Sequence, residues 1–307
     1  MKHLLASSVL ALVAASSTAT AQSAYPDGFT PYGYIDLSYI DSSSGGSGDT
    51  VLTSDAGFSW GFGGAFGVDF SLFAFAVGSD SFTAPYLALS YDFGDMRASI
   101  GKPRAAYDAF GAFRLERQVP IYGFFLSPYT NSLVTTVDFT DEAESYGVRL
   151  DGTTGALTYA VSIHGYQDEP GIYTISSGMR YDMGSELIVT GGIEYSDIED
   201  ESASSVKFGV SKSFGQFQTA VNAVWSETPF AMSASVTAIE LSGGYDFNDR
   251  LSAGLSVSRY DDGLSDTLIG ADVRYDIWNG ASAYAGVVGT TVGSSDEVYS
   301  IGLSYDF

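Results

Sequence analysis

Few residues in this chain have the types and spacing that catalysis requires. The chain contains two histidines, His3 near its start and His164 near its middle. A Ser-His-acid triad at His164 would need a nucleophilic serine beside it, and no serine lies in the Gly-x-Ser-x-Gly context of a nucleophile elbow. The HExxH, phosphate-loop and dinucleotide-binding motifs are also missing from the sequence. We therefore predict a protein that is not an enzyme and interpret His164 as a solvated side chain.

Acidic residues are the second group that could do chemistry. The chain has 37 Asp and Glu against 13 Lys and Arg, which argues against nucleic-acid binding because that would need a basic surface. The runs Glu199-Asp200-Glu201 and Asp261-Asp262 carry the oxygen ligands that Ca²⁺ and Mg²⁺ prefer. Simple solvation explains these runs equally well. Cysteine is absent, so disulfides and thiolate metal sites are excluded, and no other cofactor is predicted.

The first 21 residues have the organisation of a signal peptide. Lys2 and His3 form a short basic start, residues 4–15 are mostly apolar, and Ala19-Thr20-Ala21 supplies small residues before a cleavage site ahead of Gln22. The apolar run is shorter than the roughly 20 residues of a membrane-spanning helix. We expect export and a mature domain of residues 22–307; a disordered N-terminal tail is the alternative.

Alternation with a period of two dominates the remaining sequence. At the C-terminus, Tyr299, Ile301, Leu303, Tyr305 and Phe307 alternate with Ser300, Gly302, Ser304 and Asp306. Successive side chains of a β-strand point to opposite faces, so this pattern predicts a strand with one apolar face and one small, polar face. The same pattern recurs at residues 156–165 and 250–260.

A short internal repeat marks the ends of many predicted strands. An aromatic residue, Asp and an apolar residue recur in sequence, and four of the five copies run directly into tight-turn residues. The copies begin at Tyr91, Tyr181, Tyr245, Tyr275 and Tyr305. The opposite strand ends lead into longer polar stretches at 41–49, 199–203 and 261–265. Short turns at one end and longer loops at the other are typical of a membrane β-barrel.

Counting the hairpins predicts one domain of sixteen strands. The strands are expected at 32–40, 57–66, 67–78, 84–93, 96–102, 144–152, 155–166, 173–183, 186–198, 203–214, 216–226, 235–247, 250–260, 266–277, 281–291 and 297–307. No strong turn signal separates the second from the third. An open sheet of this size would expose its edges, whereas closure removes them. We therefore predict an all-β, closed antiparallel transmembrane barrel.

The placement of charges indicates which face of the predicted sheet contacts water. Most strand charges fall on the small, polar face: Asp36, Arg97, Arg149, Arg180, Glu194, Lys207, Glu240, Asp272 and Arg274. Lys212 and Arg259 break this rule near strand ends, where long side chains can reach the interface. With the apolar face outward, a barrel of sixteen strands encloses an aqueous channel. The five repeated tyrosines would then form a ring at one membrane interface; ordinary aromatic packing is the alternative.

One connection, residues 103–143, is far longer than the others. A long irregular segment inside a regular fold is usually functional. It carries Arg104, Asp108, Arg114, Glu116 and Arg117 together with many aromatic residues.

At this point the chain resembles the general diffusion porins of Gram-negative outer membranes, particularly the alphaproteobacterial type. The match rests on sixteen strands, the stretch Gly101-Lys102-Pro103-Arg104-Ala105-Ala106-Tyr107-Asp108, and the closing Leu303-Ser304-Tyr305-Asp306-Phe307. The resemblance implies an outer-membrane location, contact with lipid and lipopolysaccharide, a homotrimer, and recognition of Phe307 by the barrel-assembly machinery. Residues 67–78 (with Phe70, Leu72, Phe73, Phe75 and Val77) are a candidate subunit contact, or they face lipid alone.

The resemblance also implies where a pore constriction lies. In this family the third external loop folds into the barrel, and its acids face bases on the wall. By position, Asp108 and Glu116 are the expected loop acids, and Arg97, Arg149 and Arg180 are the expected wall bases. Arg104, Arg114 and Arg117 lie within the loop itself, so the sign of the field at the constriction stays open.

Three functions compete on this basis. The first is a passive channel for ions and small hydrophilic solutes, with a weak preference for cations because acidic vestibules flank a nearly balanced wall. The second is a substrate-selective channel for a sugar, phosphate or another small solute. The third is a barrel enzyme or adhesin without a conducting pore. Calcium or magnesium at the acidic runs would bridge lipopolysaccharide phosphates.

Overall fold

The computed structural model describes residues 28–43, 48–111, 118–119, 130–140, 144–167, 169–198, 201–227, 235–261, 266–290 and 297–307. The predicted signal peptide, residues 1–21, lies outside this part of the chain. Within these ranges no helix is long and apolar enough to cross a membrane.

Sixteen antiparallel strands close into a single barrel, which confirms the predicted fold class. Each strand pairs with its neighbours in sequence, and β1 closes the barrel against β16 in a register that runs from Tyr34 opposite Asp306 to Ser42 opposite Val298. The strands are β1 Gly28–Ser42, β2 Asp49–Gly61, β3 Phe66–Val77, β4 Asp80–Asp92, β5 Met96–Lys102, β6 Ser145–Thr154, β7 Leu157–Tyr166, β8 Glu169–Asp182, β9 Leu187–Ile198, β10 Glu201–Phe214, β11 Phe217–Ser226, β12 Val236–Asp246, β13 Leu251–Asp261, β14 Asp266–Trp278, β15 Ala281–Thr290 and β16 Glu297–Asp306. Between β5 and β6 lie a 3-10 helix, Ala106–Ala109, and an α-helix, α1, Leu133–Thr140.

The repeated aromatic-Asp-apolar unit builds the tight turns. The Asp92 carboxylate accepts a hydrogen bond from the Gly94 N–H at 2.6 Å, and Asp182 accepts one from Gly184 at 2.9 Å. An Asp that bonds the backbone two residues ahead stabilises a turn locally. The tyrosine that precedes Asp92 points outward, and its ring packs on Phe93 with centroids 4.7 Å apart.

The second strand differs from its prediction. It was expected at 57–66, but β2 spans Asp49–Gly61 and the turn falls at residues 62–65. Gly63 and Gly64 both adopt positive φ, 87° and 74°, which glycine reaches without steric cost. This Gly-Gly turn lies between aromatic residues, so the apolar pattern continues through it without a break.

The end of the barrel opposite the repeated turns is also more compact than predicted. Strand β9 extends to Ile198 and β10 starts at Glu201, so residues 201–203 of the predicted loop at 199–203 belong to β10. Residues 199–200 lie outside the described residues. Residues 78–79 form a two-residue connection at the same end. The rule of long loops at this end is therefore only partly correct.

The two faces of the barrel follow the predicted alternation. Leu255 and Ile301 point outward and are 65% and 64% exposed, whereas Ser256 and Ser300 point inward and are buried. A wall that exposes large apolar side chains outward suits a lipid environment. The charged side chains expected in the lumen lie on the inward face, and Lys212 lies on the outward face with its ammonium 5.0 Å from the Phe214 ring.

An apolar cluster on the inward face was not predicted. Its buried members come from several strands and from one residue of the long connection: Ile40, Val51, Phe75, Ala84, Tyr86, Val119, Val224, Ala238, Tyr260, Leu268 and Val288. Phe73 and Val77 pack against this cluster. On β3, therefore, only Phe70 and Leu72 of the proposed subunit-contact residues face outward, because side chains alternate along the strand. The lumen is polar only in part.

Candidate functional site

The long connection leaves the wall at Gly101. This residue has φ of +127°, and a Cβ there would lie 2.8 Å from the carbonyl oxygen of Leu87. The turn brings the Lys102 ammonium to within 3.0 Å of the Asp138 carboxylate. Glycine therefore lets the chain bend away from β5 toward the inward face.

His164 secures this departure point. One ring nitrogen, Nε2, lies 2.8 Å from the carbonyl oxygen of Pro103, and the side chain is 1% exposed. As Nε2 must donate to the carbonyl, the proton of a neutral ring lies on that nitrogen. The interpretation of His164 as a solvated lumen histidine is wrong, because the side chain is buried and bonds the Pro103 carbonyl.

Residues 105–111 follow the wall across β7, β8 and β9. The backbone N–H of Ala106 donates to Ser162 Oγ at 2.9 Å, and that of Tyr107 donates to Ser176 Oγ at 3.2 Å. A Cβ at Gly178 would lie 2.4 Å from the Ala106 carbonyl oxygen. The small residues of the inward face thus allow close backbone contact, which larger residues would prevent.

Gln118 contacts the opposite part of the wall. Its amide donates to Asp272 at 2.8 Å and its amide oxygen accepts from Ser256 at 2.5 Å. Its backbone carbonyl accepts from Ser300 Oγ at 3.0 Å. The described pieces of the connection therefore contact inward-facing residues on both sides of the barrel.

Arg104 and Arg149 form the centre of a charged network. The Arg104 guanidinium contacts both Asp55 oxygens at 2.6 Å and lies 3.8 Å from Asp108. Desolvation opposes the charge of Arg104, but these two carboxylates outweigh it and raise its pKa above the usual value. Arg149 donates to Asp151 at 2.5 Å and to the Arg104 carbonyl at 3.1 Å.

The other predicted constriction residues are more dispersed. Arg97 lies 3.6 Å from Asp69, whereas Arg180 is exposed on the inward face of β8. Arg114, Glu116 and Arg117 lie outside the described residues. Prediction from sequence missed the acids that pair with the bases, Asp55, Asp69, Asp138 and Asp151. Strand alternation could have identified Asp151, since it lies two residues after Arg149 on the same face.

A polar cavity of about 340 Å³ lies among these charges. The charged residues that line it are Asp69, Arg97, Lys102, Arg104, Arg149 and Asp151. Tyr32, Tyr86 and several serines complete the polar part of the lining. A cavity of this size suits a small molecule. Among the described residues, no group of three metal-ligating side chains is close enough together to hold an ion; residues 199, 200 and 262 of the acidic runs lie outside those residues, so the divalent-cation prediction stays a prediction.

A closed sixteen-stranded barrel with an apolar outer wall, a charged inward face and an inner cavity defines an outer-membrane channel protein. A profile of the Gram-negative porin family matches residues 6–307, and this chain belongs to that family. The predicted resemblance is confirmed, and with it the location in the outer membrane as a multi-pass β-barrel. Family and fold support a diffusion channel.

Solved structures show the same fold. Engineered variants of the Rhodopseudomonas blastica porin superpose with TM-scores of 0.65, 0.64 and 0.63, each at 14% identity. Each comparison covers 91% of this chain and 100% of the other. A search of curated proteins found no match.

Proposed function

We propose that this chain forms a water-filled pore for passive diffusion of ions and small hydrophilic solutes, with a weak preference for cations. The observation that carries the proposal is the polar cavity, whose lining holds both signs of charge beside the connection of residues 103–143. In this proposal the connection narrows the pore, and Arg97, Arg104, Asp108 and Arg149 shape the field in the passage.

The cation preference rests on a nearly balanced inward face that is flanked by acidic vestibules. The structure adds Asp55, Asp69 and Asp151 to the acids predicted there, and it adds the base Lys102 at the end of β5. Each of these three acids stands close to a base, so most of the field is local. With the wall charges close to balance, the acidic vestibules act on passing ions beside low-dielectric walls and favour cations.

The test is a reversal potential across a KCl gradient in a planar bilayer. We expect ohmic conductance and a modest preference for K⁺ that fades toward about 1 M salt, where the screening length falls to about 3 Å. Replacing both Asp69 and Asp151 by Asn should reduce the preference, whereas Asp80→Asn, at the start of β4, should change it little. A clear anion preference would contradict the proposed field, and absence of conductance would contradict the channel. Saturable block by a sugar or phosphate would favour the substrate-selective alternative.

We also propose a homotrimer, as the family resemblance implies. Phe70 and Leu72 on the outer face of β3 are available for a subunit contact. Electrophoresis without heating should give a band at three times the monomer mass that collapses on boiling; a heat-insensitive monomer band would contradict the trimer.

A further inference from the structure

Two carboxylates hold the N-terminus of helix α1 from different parts of the chain. Asp108 accepts from the Ser132 N–H at 2.6 Å and from the Thr135 hydroxyl at 2.5 Å. Glu194 accepts from the Leu133 N–H at 2.7 Å and, through its other oxygen, from the Ser132 hydroxyl. We call Asp108 and Glu194 the carboxylate clamp.

The clamp satisfies the groups that a helix start leaves unpaired. The first N–H groups of a helix have no partner within it, and negative charge is favourable at that end. Glu194 lies within β9, where it pairs in register with Ser176 and Ser205, and it is 6% exposed. The wall therefore supplies one of the two helix caps, so the helix start is bound to a rigid element.

The remainder of the helix is bound to a different part of the wall. The Thr135 hydroxyl lies 2.6 Å from the Tyr86 hydroxyl on β4. Asp138 accepts from the Ser145 hydroxyl at 2.8 Å, at the start of β6, and contacts Lys102. Helix α1 thus bridges the lumen from β9 to β4 and β6, and Glu194 is its fixed point on the β9 side.

We propose that Glu194 is a positioning residue that holds helix α1 across the lumen and thereby sets the width and steadiness of the conducting path. This inference rests on the proposed channel function and adds a residue on which its geometry depends. Without Glu194 the helix start loses two hydrogen bonds to the wall while its links to β4 and β6 remain. The helix would then fluctuate about those links, and the current through the pore would fluctuate with it.

The test compares Glu194 with a matched acid, Glu240. Glu240 also faces inward and is fully buried, but its hydrogen bonds to Asn222 and Ser258 join neighbouring wall strands. Glu194→Ala and Glu240→Ala each remove one carboxyl group from the inward face. We expect a severalfold increase in current noise or in brief conductance steps for Glu194→Ala only, and similar small changes in ion selectivity for both. Glu194→Gln should stay close to the wild type in noise, because its amide oxygen still accepts from Leu133.

A second pair of variants changes the serine partners of the two acids. This pair keeps the test valid if the Glu194→Ala protein fails to insert into the membrane. Ser132→Ala removes the hydroxyl that binds Glu194, and Ser258→Ala removes a partner of Glu240. Ser132→Ala should raise the noise. The Ser132 hydroxyl also accepts from the Val134 N–H, so in combination with Glu194→Ala its effect should add only in part. Equal noise for the Glu194 and Glu240 variants, or Gln as noisy as Ala at position 194, would overturn the inference. A wild type that does not conduct at all would instead refute the proposed function.

Discussion

Gly101 shows how one residue directs the path of the chain inside the barrel. The backbone there turns from the wall toward the lumen with φ of +127°, a region that residues with a Cβ rarely adopt. The Leu87 carbonyl closes the space that a side chain would need. The path of the whole connection therefore depends on a residue without a side chain at position 101.

We predict that Gly101→Ala destabilises the start of the connection by about 1–3 kcal/mol through backbone strain alone, with an added contribution from the Leu87 contact. The measurement is the urea midpoint of the protein in detergent, together with single-channel conductance. Gly171→Ala is the matched control, because Gly171 has a similar φ of +110° but no atom lies within 4 Å of the position that its Cβ would take. Equal loss for both variants would mean that the Leu87 contact has no role.

At the scale of the element, the long connection packs on the wall through the inward apolar cluster, to which it contributes Val119. Strands β5 and β6 pair directly, with Gly101 opposite Gly147, so the intervening residues are not needed to bring these strands together. Val119 is fully buried among residues of the wall. Burial of apolar side chains against the wall stabilises this arrangement.

We predict that replacing residues 104–143 by a short Gly-Ser linker raises single-channel conductance severalfold. A short linker suffices because the two strand ends are neighbours in the sheet. Shortening the connection between β11 and β12 serves as the control and should leave conductance near the wild-type value. Heat-modifiable migration verifies that both variants fold. If the linker variant conducts like the wild type, the connection does not restrict the pore.

At the scale of the whole molecule, pairing of the first strand with the last closes the barrel and stabilises it. The C-terminal strand pairs with β1, and the Phe307 N–H donates to the Gly33 carbonyl at 3.0 Å. The Phe307 ring packs beside Tyr305 with centroids 5.6 Å apart. In a membrane every backbone group needs a partner within the protein, so an unpaired edge would be costly.

Deleting Phe307 should therefore lower the amount of heat-modifiable, membrane-inserted protein. The deletion removes the last backbone bond of the seam and the terminal aromatic ring that we expect the barrel-assembly machinery to recognise. Phe307→Tyr keeps both features and should insert like the wild type. An unchanged yield on deletion would contradict a role for this residue in assembly.

The alternation of side chains and the repeated turn units determined the class of fold without any tertiary information. Both are local properties: the strand backbone places neighbouring side chains on opposite faces, and the Asp92 turn bond spans two residues. The sixteen strands, their antiparallel order and the apolar outer wall follow from such short-range rules. The Gly63-Gly64 turn and the early start of β10 at Glu201 were missed because the local pattern there is continuous across the boundary.

Only the tertiary structure determined which residues contact each other inside the barrel. Glu194 binds Leu133, 61 residues away in sequence, and Ser300 binds Gln118 across 182 residues. Such pairs carry no periodic signal, so the sequence identified Glu194 only as an acid on the wall and His164 only as a polar histidine. Their partners depend on where the long connection lies in the lumen, and that position results from closure of the whole barrel around it.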